Sequence, residues 1–147
     1  MKSFLLFSVL SLTFSFYSQI SETTTLASGM LGSETWKIDK EITGSKKYVD
    51  FFYGFQNKEY TSIIDIGSVM FSDKINLEKF VSAIELLTTK NAGVNITVQF
   101  KGGKVYLYDF SENIYLEETS GKYTTFTKDE AILFVKEIRT KYNLLPK

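Results

Sequence analysis

The sequence predicts an α+β protein, with an antiparallel sheet of roughly six to eight strands and two amphipathic helices packed on one face. Three observations predict it. Apolar residues recur at period 2 through much of residues 35–126, two segments switch to period 3.6, and a Gly-Gly hairpin turn joins consecutive strands.

The N-terminus stands apart from all of this. Lys2 is the only charge in the first eighteen residues, and Phe4 to Tyr17 is an unbroken run of apolar and hydroxyl side chains. A bilayer-spanning helix needs about 20 predominantly apolar residues. Residues 1–18 are therefore expected to be a cleavable secretory signal peptide, which makes the protein secreted or periplasmic with no membrane span after cleavage. Ser18 is a small residue suited to the cut, and Ala27 is the alternative. Residues 19–34 are rich in Ser, Thr and Gly without a sustained period, so a flexible leader is expected there. Residues 35–147 remain as a single domain. With no cysteine in the chain, packing alone must hold it, and its 9 Phe, 8 Tyr and 1 Trp supply the area.

Each element follows from its own pattern. Residues 35–42, TWKIDKEI, form a first strand, and Thr43 to Ser45 a turn. In KKYVDFFYGF, Val49, Phe51, Tyr53 and Phe55 share one face while Tyr48 and Phe52 lie on the other, which suits a central strand covered on both sides. EYTSIIDIGSVMF is too long for one straight strand, and Gly67 marks a bulge or break in it. Leu77, Phe80, Val81, Ile84 and Leu87 then form a helical stripe capped by Asp73 or Asn76 and ended by Asn91 to Gly93. VNITVQF alternates strictly, Lys101 to Lys104 turns, and KVYLYDF, IYLEE and KYTTF complete an antiparallel meander. Thr127 and Glu130 form a capping box, and Ala131, Phe134, Val135, Ile138 and Tyr142 give the second helix its stripe, with Pro146 beyond.

The two halves resemble one another. FVSAI at Phe80 to Ile84 corresponds to FVKEI at Phe134 to Ile138, after MFS in one half and TFT in the other. A pseudo-repeat of the form ββββα twice over follows. In topology alone that layout resembles the Whirly and PUR-type single-strand nucleic-acid binders. Function does not carry over with it: nucleic-acid binding draws its affinity from Lys and Arg on phosphates, and here 17 basic residues face 17 acidic ones with Arg139 the single arginine. No nucleic-acid partner is expected.

Several chemistries are excluded outright. The chain has no histidine and no cysteine, which removes Ser-His-Asp and Cys-His nucleophiles, imidazole or thiolate metal sites and thiol redox work. No cofactor and no metal are expected. Asp109, Ser111, Asn113 and Glu117 alternate oxygen ligands as calcium loops do, yet Ile114 and Ser120 occupy the places where such a loop needs Gly and Glu. Asp50 and Asp65 interrupt largely apolar strands, where a carboxyl group can acquire the raised pKa of an acid catalyst. Asn95-Ile96-Thr97 matches an N-glycosylation acceptor, and Trp36 is expected to pack the first strand onto the core.

The surface feature that remains is aromatic. Tyr106, Tyr108 and Phe110 share one strand face opposite Val105 and Leu107, and Lys104 and Tyr123 join the same patch. If Val105 and Leu107 face the helices, this row faces solvent and can cover a protein or saccharide partner, because Tyr gives large contact area at low entropic cost. Non-enzymatic binding through a sheet face is the leading expectation; a carboxylate-dependent small hydrolase and a structural envelope component are the alternatives.

Overall fold

A computed structural model describes residues 21–59, 65–89 and 93–142. The expected signal peptide, the first part of EYTSIIDIGSVMF, Asn91 and Pro146 lie outside these residues, as do the side chains of Val49 and Tyr142.

The chain is α+β, but its strands divide into two antiparallel sheets of four where one larger sheet was expected. The first holds β1 (Ser21–Leu31), β2 (Glu34–Thr43), β3 (Lys46–Gln56) and β4 (Ile66–Phe71) in sequence order. Helix α1 (Lys74–Thr89) follows. The second sheet holds β5 (Asn95–Phe100), β6 (Gly103–Phe110), β7 (Asn113–Glu118) and β8 (Tyr123–Thr127), again in order, and α2 (Lys128–Tyr142) closes the described chain. The physical reason for the division lies in burial. Each meander has its own apolar face, and one continuous sheet would leave two small helices to cover both. Folding the sheets about a shared helix pair buries both faces at once: α1 packs on β4, β5 and β6, α2 on β1, β7 and β8, and the helices on each other.

A second correction concerns β1. The Ser, Thr and Gly residues expected to be a flexible leader pair with β2 from Ser21↔Thr43 to Leu31↔Glu34, with a bulge between Thr25 and Ala27. This is an edge strand with little to bury: Ala27 and Leu31 enter the core and Leu26 packs against it. Its hydrophobic signal is correspondingly faint, while threonine fits an extended backbone well.

The core is built from the stripes already named. Phe51, Tyr53 and Phe55 of β3 are buried, and β3 lies between β2 and β4 as a central strand should. Its other face is not covered: Tyr48 is exposed and Phe52 half-buried. Gly67 neither bulges nor breaks β4 but pairs with Phe55, and a Cβ at Gly67 would collide with the Phe55 ring. Leu77, Phe80, Val81, Ile84 and Leu87 of α1 are all buried, as are Ala131, Phe134, Val135 and Ile138 of α2. Trp36 packs against Phe51 and Phe134.

Helix starts are set by single side chains. Asp73 Oδ1 accepts the Asn76 amide at 2.7 Å, and at α2 the Thr127 amide donates to Glu130 Oε2 at 2.7 Å while the Glu130 amide donates to Thr127 Oγ1 at 3.2 Å. The element order is ββββα twice over. Phe80 and Phe134, the corresponding residues of the two halves, meet edge to face with ring centroids 6.3 Å apart.

Candidate functional site

Whether the row of Tyr106, Tyr108 and Phe110 faces solvent is decided by what lies under Val105 and Leu107. Both are buried on the side that faces the helices. Alternation along β6 therefore turns Tyr106, Tyr108 and Phe110 to the opposite, open face. The two tyrosines are half-buried among their neighbours, and Phe110 is 76% exposed.

Strand register extends this row sideways. The two-residue turn at Ser111 and Glu112 pairs Phe110 with Asn113, so Tyr108 falls opposite Tyr115 and Tyr106 opposite Glu117; Glu117 in turn faces Tyr123 of β8. Ser111 takes a φ of 59° there, an uncommon conformation for a residue with a side chain. The result is a ladder of four tyrosines. Tyr106 and Tyr108 lie 6.4 Å apart with near-parallel rings, Tyr108 meets Tyr115 edge to face at 6.0 Å, and Tyr115 stacks on Tyr123 at 4.6 Å. The Lys104 ammonium sits 4.9 Å from the centre of the Tyr106 ring. All five expected residues thus share this face, though Phe110 stands at its end without a ring contact to the ladder among the described residues. Tyr115 completes the ladder and was not singled out from the sequence. Its signal was available, because Tyr115 and Glu117 alternate with the buried Ile114 and Leu116.

Two of these hydroxyls are held neutral, those of Tyr108 and Tyr115. Burial raises the Tyr108 pKa, aided by the charge of Glu117 and by Tyr106. Tyr115 is raised further, by burial first and then by its hydrogen bond to Tyr123 and the charges of Glu117 and Glu59. A phenol held un-ionised both donates and accepts hydrogen bonds. Lys104, held above its usual range by its hydrogen bond to Tyr106, supplies the cation.

The edge of the ladder is fixed by the first sheet. Asn57, 1% exposed, accepts the Tyr123 amide through Oδ1 at 3.2 Å and donates through Nδ2 to Asp65 at 2.9 Å. The Lys58 amide donates to the Tyr123 carbonyl at 3.0 Å, and its ammonium to the Thr125 carbonyl at 3.2 Å. The connection after β3 is in this way clipped along β8.

The candidate carboxylates do not come together. Asp65 accepts from Lys122 at 2.5 Å and from Asn57, and those hydrogen bonds, Lys122 first, pull its pKa down. An acid catalyst needs the opposite shift. Asp50 lies on the outer face of the first sheet, opposite Asp39 in register. Burial alone would raise Asp39, but hydrogen bonds from Lys37 and Thr25 and the Lys37 charge outweigh it and leave the pKa lowered. Asp109, of the calcium-like series, faces the interior, with its side chain fully buried and ion-paired to Lys128 at 3.0 Å, while Glu117 lies on the opposite face. Among the described residues no three carboxylates converge on a metal site. Nor is any helix there long and apolar enough to cross a membrane. Arg139 is held in the helix pair by Glu78, Glu85 and Ser82. Asn95 is exposed at the sheet edge.

The chain matches no protein-family model, and no curated protein matches it.

Proposed function

We propose that the protein is a non-enzymatic binding domain, exported by the signal in its first eighteen residues, that engages a partner protein through the tyrosine face of its second sheet. One observation carries the reading: four neighbouring tyrosines and an exposed phenylalanine line a sheet face that, among the described residues, no helix covers. Tyrosine brings large area and few rotamers to lose, the properties that concentrate binding energy in protein interfaces.

Ring geometry favours a protein over a saccharide. A sugar stacks on an open aromatic face, yet Tyr115 and Tyr123 turn faces to each other and Lys104 caps Tyr106. What these rings offer a partner is edges and hydroxyls, which suit the mixed apolar and hydrogen-bonding surface of a protein. The hydrolase alternative loses support from the lowered pKa of Asp65 and its engagement by Lys122.

Site-specific photocrosslinking in the producing cell tests the proposal. A photoreactive phenylalanine analogue at Phe110 is expected to trap a discrete protein adduct, and the same group at Thr35, on the outer face of the first sheet, is not. Loss of the adduct on Tyr108→Ala and Tyr115→Ala ties it to the ladder. Equal adducts from both positions, or none from Phe110 together with binding to a glycan array that Tyr108→Ala abolishes, would overturn the protein reading.

A further inference from the structure

We propose that β5 is a dimerisation edge, on which a second copy of the chain lays its own β5 antiparallel about a two-fold axis at Thr97. The two second sheets then form one sheet of eight strands. This inference stands apart from the tyrosine face, since it concerns the rim of the sheet.

Open strand edges are normally blunted by charge, proline, bulges or a covering loop. The other three edges here have such devices. β1 carries a bulge, β4 lies against the turn between β5 and β6 across a cleft lined by Ser68, Met70 and Lys101, and β8 is clipped by Asn57 and Lys58. β5 has none of them along Asn95–Phe100; the bulge in which the Gly93 amide and the Val94 carbonyl both pair with Asp109 precedes the strand. Val94 to Phe100 contains no charge, no proline and no glycine, and among the described residues no backbone group pairs with its outer side.

Hydrogen-bond phase selects the axis. The Asp109 amide donates to the Val94 carbonyl at 2.9 Å, which places Val94 in a pair bonded to β6. By alternation the backbone N–H and C=O of Asn95, Thr97 and Gln99 point outward. A two-fold axis at Thr97 brings it opposite the partner's Thr97, and Asn95 opposite the partner's Gln99, so that all these outward groups find partners. Side chains agree with the same register. Asn95, Thr97 and Gln99 keep to the polar, open face in both copies, while Ile96 and Val98 of the added strand fall on the helix side. There a cleft of about 500 Å³ runs between β5 and α1, lined in part by Ala83 and by Leu86, which is 43% exposed.

Charge decides for a second copy. A two-fold interface sets every residue against its own kind or its neighbours, so a charged edge would repel itself. The strand itself carries no charge and meets that condition, and the cation beside it, Lys79 on the α1 side of the cleft, is exposed to solvent. Dimerisation would also set two tyrosine faces on one continuous surface.

The chain has no cysteine, so Thr97→Cys gives it a single thiol. In the proposed pair the two Cα atoms at position 97 lie about 5.5 Å apart, within disulfide reach. Asn95→Cys is the control: its copies stand four residues out of register, about 14 Å apart. Under mild oxidation Thr97→Cys is expected to form covalent dimer on the order of tenfold faster than Asn95→Cys. Sedimentation velocity of the unmodified domain is expected to show a concentration-dependent dimer that Thr97→Lys converts to monomer with the circular-dichroism spectrum unchanged. Equal crosslinking at positions 95 and 97, or a wild-type domain that stays monomeric up to millimolar concentration, overturns the proposal. If Thr97→Lys fails to fold, the crosslinking comparison alone decides. A strand donated by a different protein would leave the purified domain monomeric, and so counts against it.

Discussion

The two sheets share a strand count and an order, yet they place most of their aromatic residues on opposite sides. In the first sheet Trp36, Phe51, Tyr53, Phe55 and Phe71 point inward, and the outer face carries Lys37, Asp39, Glu41 and Asp50 among its residues. In the second, the inner face is mostly aliphatic, with Val98, Val105, Leu107, Ile114 and Leu116 beside Phe126, and the tyrosines point out. The lesson concerns inference from composition. A row of rings at period 2 means core in one half of this chain and surface in the other, and the arbiter is which alternate residues are aliphatic enough to replace it inside.

The comparison can be broken by mutation. Phe51→Ala should cost the most, about 3–5 kcal/mol of stability by chemical denaturation, because Phe51 touches Trp36, Phe71, Phe80 and Phe134. A cost below about 1 kcal/mol would mean that the inner rings of the first sheet are not a working core.

Lys128→Met probes the one charged feature inside the second sheet. It leaves Asp109, whose side chain is fully buried, without its ion-pair partner, and removing one member of a buried pair costs about 3 kcal/mol or more. Asp109→Ala should cost less, since the Lys128 side chain is 19% exposed and can reach water. The reverse order, measured by urea unfolding, would show that the pair is not what keeps this charge inside.

Alkaline pH probes the tyrosine on the inner face of the first sheet. Burial holds Tyr53 far above the usual phenol range, and its hydroxyl donates to the Leu31 carbonyl at 3.2 Å. A group whose folded pKa is raised contributes stability that is intact below its unfolded value and declines as pH rises beyond it, here above about pH 10. Tyr53→Phe should flatten that decline in a series of thermal melts. A decline as steep in Tyr53→Phe as in the unmodified protein would show that the buried phenol is not its source.

The smallest effect is expected at Phe110. At 76% exposure, Phe110→Ala should change stability by no more than about 0.5 kcal/mol while still reducing partner capture. A loss comparable to that of Phe51→Ala would place the residue in a core that the solvent-facing side of β6 does not have.

Much of this architecture was legible before any coordinates. Both helices announce themselves through stripes such as Leu77, Phe80, Val81, Ile84 and Leu87, because helical period and capping are local properties. The alternation of Val105 and Leu107 with Tyr106 and Tyr108 located the candidate face for the same reason. What escaped was non-local. No residue within either meander records that β4 and β5 will not pair, so two sheets looked like one. β1 escaped because its stability comes from the ladder to β2, to which Thr23, Thr24 and Thr25 contribute backbone without apolar side chains. Tyr115 needed the register fixed by the Ser111 turn, and Asn57 needed the fold itself, since its partners Asp65 and Tyr123 lie 8 and 66 residues away.

Asn57 joins the two halves by hydrogen bonds, outside the single hydrophobic cluster that both sheets share. Its carboxamide fixes the outermost rung of the tyrosine ladder. On the proposed binding role, substitutions at Asp65, Lys122 and Asn57 would reshape the rim of the tyrosine face while the hydrophobic centre keeps its packing.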